Sequence, residues 1–118
     1  MPRFLAVYLG SDEARARSGW DALTDAERGA RTARGVQAWG DWVLAHREAI
    51  VDPGSRLGRT KRVSGDGIAD SHNALTAYVL VEADSAAAAA QMFERHPHFT
   101  IFPGDSVEIV ECLPSPRG

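Results

Sequence analysis

The order of predicted elements, the two-sided apolarity of the strands and a single long capped helix predict one α+β domain. Its architecture is an antiparallel sheet with two crossover helices on one face. The chain has 118 residues, with 44% hydrophobic and 25% charged side chains, an ordinary globular balance. A chain of this size buries roughly two-thirds of its unfolded surface, enough for one core.

The first element is Phe4–Leu9, an apolar run ending at Gly10, read as a strand buried on both faces. Residues Ser11 to Asp21 are polar and contain Gly19, and are read as a loop or irregular turn. Thr24-Asp-Ala-Glu27 has the form of a capping box: Thr24 can accept from the third helical amide while Glu27 reaches back to the cap amide. The helix so started is predicted to run to about Ala49. At about 100° per residue, Val36, Trp39, Trp42, Val43, Ala45, Ala49 and Ile50 form its apolar face. Gly29, Gly35 and Gly40 weaken it, each by about 1 kcal/mol relative to alanine, so packing must supply its stability.

Asp52-Pro53-Gly54 is read as a turn. Ser55 to Val63 is predicted to be an exposed, basic strand, and Gly65-Asp66-Gly67 a hairpin turn. The strongest strand is Ala74 to Ala83, where Leu75, Ala77, Val79 and Val81 alternate with Thr76, Tyr78, Leu80 and Glu82. Asp84 or Ser85 then caps an alanine-rich helix from Ala86 to about Arg95, which Pro97 stops. Ser106 to Leu113 is the last strand, and residues 113–118 are expected to fray.

This is βαββαβ with an embellished middle, the order of a ferredoxin-like sandwich. A sheet wetted on one face alternates cleanly between apolar and polar residues. Here Phe4 and Leu5, Val79 and Leu80, and Ile109 and Val110 are apolar at both parities. The second face needs a cover, and a second copy of the chain is the economical one.

Several classes of function are disfavoured. The net charge of −3 gives no electrostatic footprint for nucleic acid or for an anionic membrane. Phe4–Leu9 is too short to cross a bilayer, and no small-residue cleavage site follows it, so no signal peptide is read. A cytoplasmic location is the simplest expectation. The single Cys112 excludes an intrachain disulfide and a cysteine metal cluster. There is no Gly-x-Ser-x-Gly elbow, Walker loop or His-Glu-x-x-His, and neither a metal nor an organic cofactor is expected.

The pieces then resemble, in order and spacing, the YCII-related or DGPF-domain family. The likeness is carried by the opening strand, the tryptophan-bearing helix followed by a short turn and Leu57, the segment Leu75 to Ser85 with its alanine-rich helix, His96-Pro97-His98, and Val107-Glu108-Ile109. The resemblance implies a dimeric α/β-barrel in which two ferredoxin-like units pair sheet to sheet. The chain departs from the family at its naming motif. Asp66-Gly67 are present, but Ile68 and Ala69 replace the Pro-Phe that would follow. Gln37 and Ala38 lie near where the family's helix histidine would fall.

The residues able to carry acid–base chemistry are His98 and His72, with Asp70 as a possible orienting partner. A pocket rim would take Tyr8 and, as apolar wall, Phe99 and Phe102. Each has a structural alternative: His96 can neutralise a helix end, His72 can be a solvated loop residue, and Asp52, Asp66 and Asp70 can bond their own turns. His46 on the apolar face reads as a core histidine bonded to a backbone carbonyl. Trp39 and Trp42 read as core, and Arg56, Arg59, Lys61 and Arg62 as charges protecting a sheet edge. The functional expectation is a homodimer that binds or transforms a small organic molecule without a cofactor. The alternative is a non-catalytic ligand-binding or accessory module.

Overall fold

The computed structural model describes residues 1–116. It is an α+β structure in which four strands form one antiparallel sheet in the order β2-β5-β1-β6. The elements are β1 (Arg3–Leu9), α1 (Asp12–Ser18), α2 (Asp25–Ala45), β2 (Ile50–Arg56), β3 (Thr60–Ser64), β4 (Gly67–Ser71), β5 (Leu75–Glu82), α3 (Ala86–Gln91), α4 (Pro97–Thr100) and β6 (Ser106–Cys112). Among the described residues, no helix is long and apolar enough to cross a membrane.

Strand register sorts the side chains. Phe4, Ala6 and Tyr8 of β1 stand opposite Val81, Val79 and Ala77 of β5, and all six are buried. Across the other side of β1 they meet Glu111, Ile109 and Val107 of β6. Trp42, Ala89 and Phe93 from the helical layer complete the core on this face. The intervening residues Leu5, Val7, Leu9, Tyr78 and Leu80 point to the opposite face and are half-buried, while Val110 beside Leu5 is exposed. The double parity of the sequence is therefore real, and among the described residues the helices pack on the face of Phe4, Ala6 and Tyr8.

The capping box forms as expected. Thr24 Oγ1 accepts from the Glu27 amide at 3.1 Å, and Glu27 Oε1 accepts from the Thr24 amide at 2.8 Å. α2 ends at Ala45, short of the expected Ala49. The Ala49 carbonyl accepts from the Glu82 amide at 2.8 Å, so sheet pairing draws the chain out of the helix. The inward face of α2 is also shifted from the expected stripe. Trp42 is buried and Trp39 and Val43 are partly so, but Val36 and Ala45 are exposed. Gly35 replaces them on the inside: a Cβ there would lie 2.4 Å from the Phe102 ring. The glycine that weakens the helix locally is what lets Phe102 reach its backbone.

Four further expectations are corrected. Residues 12–18 are helical instead of a loop: Ser11 Oγ accepts from the Ala14 amide at 3.1 Å, and Asp12 and Glu13 occupy the first turn, Arg15 and Arg17 the last, which suits the helix dipole. Asp52-Pro53-Gly54 is not a turn between elements but an irregularity inside β2. Gly54 has φ of 70°, and a Cβ on it would lie 1.7 Å from the Tyr78 carbonyl oxygen, so only glycine fits there. The alanine-rich helix stops at Gln91, before Arg95 with φ of 57°. Pro97 does not merely stop it but begins α4, the first-turn position where its missing N–H costs nothing. The predicted strand 55–63 is divided between β2 and β3. Residues 117 and 118 of the expected frayed tail lie outside the described residues.

The Gly65-Asp66-Gly67 hairpin is present, but it builds an arm. β3 and β4 pair with each other and, among the described residues, with no third strand. The principal extents are 53 × 43 × 19 Å with a radius of gyration of 16.3 Å, against about 13 Å for a compact chain of this length. The shape is thin and extended: a two-layer body with a projecting hairpin.

Candidate functional site

Tyr8 projects from β1 toward the helices, flanked by Ala77 and Val107 on the neighbouring strands. Those small neighbours leave space for the phenol, which is fully buried. Its ring lies 5.0 Å from Trp39, 5.0 Å from His96 and 5.1 Å from His98, centroid to centroid. The site is thus a polar cluster set in an aromatic shell, where β1 meets the segment leading into α4.

His96 holds this cluster together. It caps α4, and its Nδ1 accepts from the His98 amide at 3.0 Å. A nitrogen that accepts carries no proton, so the neutral ring holds its hydrogen on Nε2. Nε2 lies 3.0 Å from the Tyr8 hydroxyl. His96 therefore donates, and the phenol oxygen accepts. Burial, followed by the nearby His98 and His46, pushes the His96 pKa down to about 3. Burial likewise drives the Tyr8 pKa upward. Both groups are neutral across the physiological range.

His98 is 6% exposed, and its Nε2–H donates to the Leu9 carbonyl at 2.8 Å. Burial lowers its pKa; the Leu9 and Ser106 backbone and the Asp105 carboxylate oppose that shift without overcoming it. A Cβ on Gly104 would lie 2.3 Å from His98 Cε1, so the backbone there packs directly on the imidazole. Asp105 accepts from the Ser11 hydroxyl at 3.0 Å and from the Ser106 hydroxyl at 2.8 Å. These bonds hold its carboxyl below the usual range, with Arg17 contributing.

The sequence candidates separate into two places. Tyr8 and His98 come together as expected, but in the core, not on a rim. Phe102 belongs to the same shell, 6.2 Å from Trp39 and against Gly35. Phe99 is 39% exposed and walls a shallow open groove of about 350 Å³ between the short helices and β6. Phe93, Val107 and Ile109 add apolar surface to it, and Glu94 and Asp105 add negative charge. His72 is exposed after β4, and Asp70 lies on the arm paired with Lys61. Among the described residues, no hydrogen bond or ring contact joins either of them to the Tyr8 cluster. His46 makes the expected bond to a backbone carbonyl, 2.9 Å between Nδ1 and the Trp42 carbonyl, but it is half-buried at the end of α2 and lies outside the core.

Sequence reasoning placed His96 at a helix C-terminus, whereas it caps the N-terminus of the next helix. The pattern His-Pro at a cap and first helical position could have revealed this. Trp42 also does more than pack: its Nε1 donates to the Met92 carbonyl at 2.7 Å and ties α2 to the end of the α3 segment. No group of three or more His, Cys, Asp or Glu side chains among the described residues could hold a metal ion. Chemically, the cluster is a set of neutral, mutually bonded groups whose proton positions are fixed by their partners. Comparison of the chain with protein-family models, with curated proteins and with solved structures finds no match.

Proposed function

We propose that this chain acts as a homodimer of the ferredoxin-like, dimeric α/β-barrel type, related to the YCII family, and that it holds a small organic molecule between its two sheets. One observation carries the reading. Leu5, Val7, Leu9, Tyr78 and Leu80 form a continuous half-buried apolar face, opposite the one on which the helices of the described residues pack. The strand order β2-β5-β1-β6 supports it further, since that is the order a βαββαβ sandwich takes once the arm is set aside. An apolar face of this extent is stable when covered, and two such faces enclose a mostly apolar cavity of the kind that binds small ligands. Tyr78 places a phenol in that face, and Asp52 and Ser55 stand opposite Leu80 and Tyr78, giving the cavity a few polar groups at one side.

The binding reading is preferred to catalysis because the imidazoles of His96 and His98 are committed to internal hydrogen bonds. A second reading retains acid–base chemistry at His98, favoured by its convergence with Tyr8, His96 and the charge of Asp105. Light scattering at micromolar concentration should return about twice the 12.7 kDa chain mass, with an interface above ~1,000 Å². A monomer would remove the basis of the proposal. Titration of the labelled dimer with small aromatic and lactone-type acids should then shift the resonances of Tyr78 and Leu80. Shifts confined to the surroundings of His98 would favour the second reading instead.

A further inference from the structure

We propose that the β3–β4 arm docks, across the dimer, into the groove between α3, α4 and β6 of a second copy of this chain. The inference rests on the homodimer reading and names a second contact within it.

The arm does not bury its own apolar residues. Register places Val63 directly opposite Ile68 near the tip, and the two are 74% and 75% exposed. A lone two-stranded hairpin is marginal in water, so an apolar pair held out on one gains from a partner surface. The groove is the matching surface. Phe93, Phe99, Val107 and Ile109 line it, and about 350 Å³ of open space gives two branched aliphatic side chains room to enter.

Charge points the same way. Arg59, at the base of the arm, has no ion-pair partner among the described residues, whereas Lys61 is paired with Asp70 and Arg62, in register with Ala69, faces away from Val63 and Ile68. Glu94 and Asp105 lie at the groove. Asp105 is held by Ser11 and Ser106, with Arg17 at 3.6 Å, so Glu94 is the carboxylate more free to receive an arginine.

Topology makes the reach possible. β2 and β6 are the two edges of the sheet. Stacking two sheets face to face about a twofold axis along the strands brings β2 of one copy over β6 of the other. The arm leaves the body between the end of β2 at Arg56 and the start of β5 at Leu75, at the edge that meets the partner's groove. Its five-residue strands span about 16 Å, enough to pass around an edge strand to the helical side.

The test uses the full chain with Cys112→Ser as background. One preparation carries Ile68→Cys and the other Ala90→Cys, at an exposed position of α3 that lines the groove. The two are mixed, allowed to exchange subunits and mildly oxidised. Docked thiols meet at high effective concentration, so the mixed disulfide should exceed that of an Asp41→Cys control by about tenfold or more. Asp41 is exposed on α2 and does not line the groove. A dimer by light scattering with no excess of the mixed disulfide would overturn the arm contact and leave the sheet-to-sheet reading intact. A dominant Ile68→Cys to Ile68→Cys product would overturn it too, since the arms would then meet each other. A monomer would overturn both readings together.

Discussion

The two faces of the sheet are built from the same strands and differ in nearly every other respect. On the helical face, alternate residues from Phe4 to Tyr8 and from Ala77 to Val81 are buried, and the polar groups among them are paired. On the opposite face, Leu5, Val7, Tyr78 and Leu80 are as apolar but only half-buried. A strand's side-chain period of two means that neighbouring residues can be assigned to separate tasks. The helical face is committed to holding one chain together, and the bare face is available to hold something else. The Tyr8–His96–His98 cluster belongs to the first task by position, although its residue types suggest the second.

The largest expected effect comes from placing the same charge on adjacent residues of β5. Val81→Asp buries an unpaired carboxylate among Phe4, Ile50 and Phe93. It should cost several kcal/mol and abolish the folded far-ultraviolet circular dichroism spectrum. Leu80→Asp, one residue earlier, should leave that spectrum near native while shifting the mass in solution from dimer to monomer. Equal unfolding by both would erase the distinction between the faces.

Next in size is Tyr8→Phe. It leaves the His96 Nε2–H buried without an acceptor, and denaturant titration should show a loss of about 1–3 kcal/mol. A loss below half of the lower bound would mean that water replaces the phenol there. His98→Gln should behave likewise, lowering stability because the imidazole is buried under Gly104 and bonded to Leu9. An unchanged melting temperature with lost ligand binding would transfer His98 to the functional side of the comparison.

Acid should expose the same face from another direction. The His96 pKa falls from the ordinary 6.5 to about 3 on folding, so the unfolded chain takes up a proton that the folded chain refuses. Stability is complete above pH 6.5 and is lost as pH falls from there toward 3. The slope approaches about 1.4 kcal/mol per pH unit for this one proton. His98, lowered in the same direction, steepens the loss. Denaturant midpoints measured from pH 7 to pH 4 should show this fall, and His96→Gln should flatten it even though its starting stability is lower. The smallest effect belongs to the arm: Lys61→Ala removes an exposed ion pair with Asp70 and should change monomer stability by less than about 1 kcal/mol.

Much of the secondary structure was legible because its causes are local. The capping box at Thr24 and Glu27 needs only four residues to specify a helix start, and the alternation from Leu75 to Glu82 needs only one strand. The α1 signals were equally local, with Ser11 as cap, acids following it and Gly19 ending it. The polarity of the segment and its glycine favour a loop equally well, so these local signals do not decide between the two. Gly54 illustrates the opposite case: Pro-Gly signals a turn, and nothing near it in the chain announces that Tyr78 will supply a strand partner.

The candidate site divides along the same line. Tyr8 and His98 were identifiable as chemical types at strand and helix ends, since residue identity and approximate position follow from the sequence. Their burial did not follow, because it depends on β1 and α2 packing against the 93–102 segment, with Trp39 set against both rings. His96 could be ranked as structural from its helix-end position, but its tautomer is set by the His98 amide and Tyr8, and its pKa is depressed by burial among distant segments. By itself, the sequence determined the α+β class, the starts of α2 and α3 and the two apolar parities of the strands, all of which arise from spacing along one segment. Only the tertiary structure decided which parity is covered, that the Gly65 hairpin projects as an arm, and that the histidines are locked inside, because each depends on contacts between residues far apart in the chain.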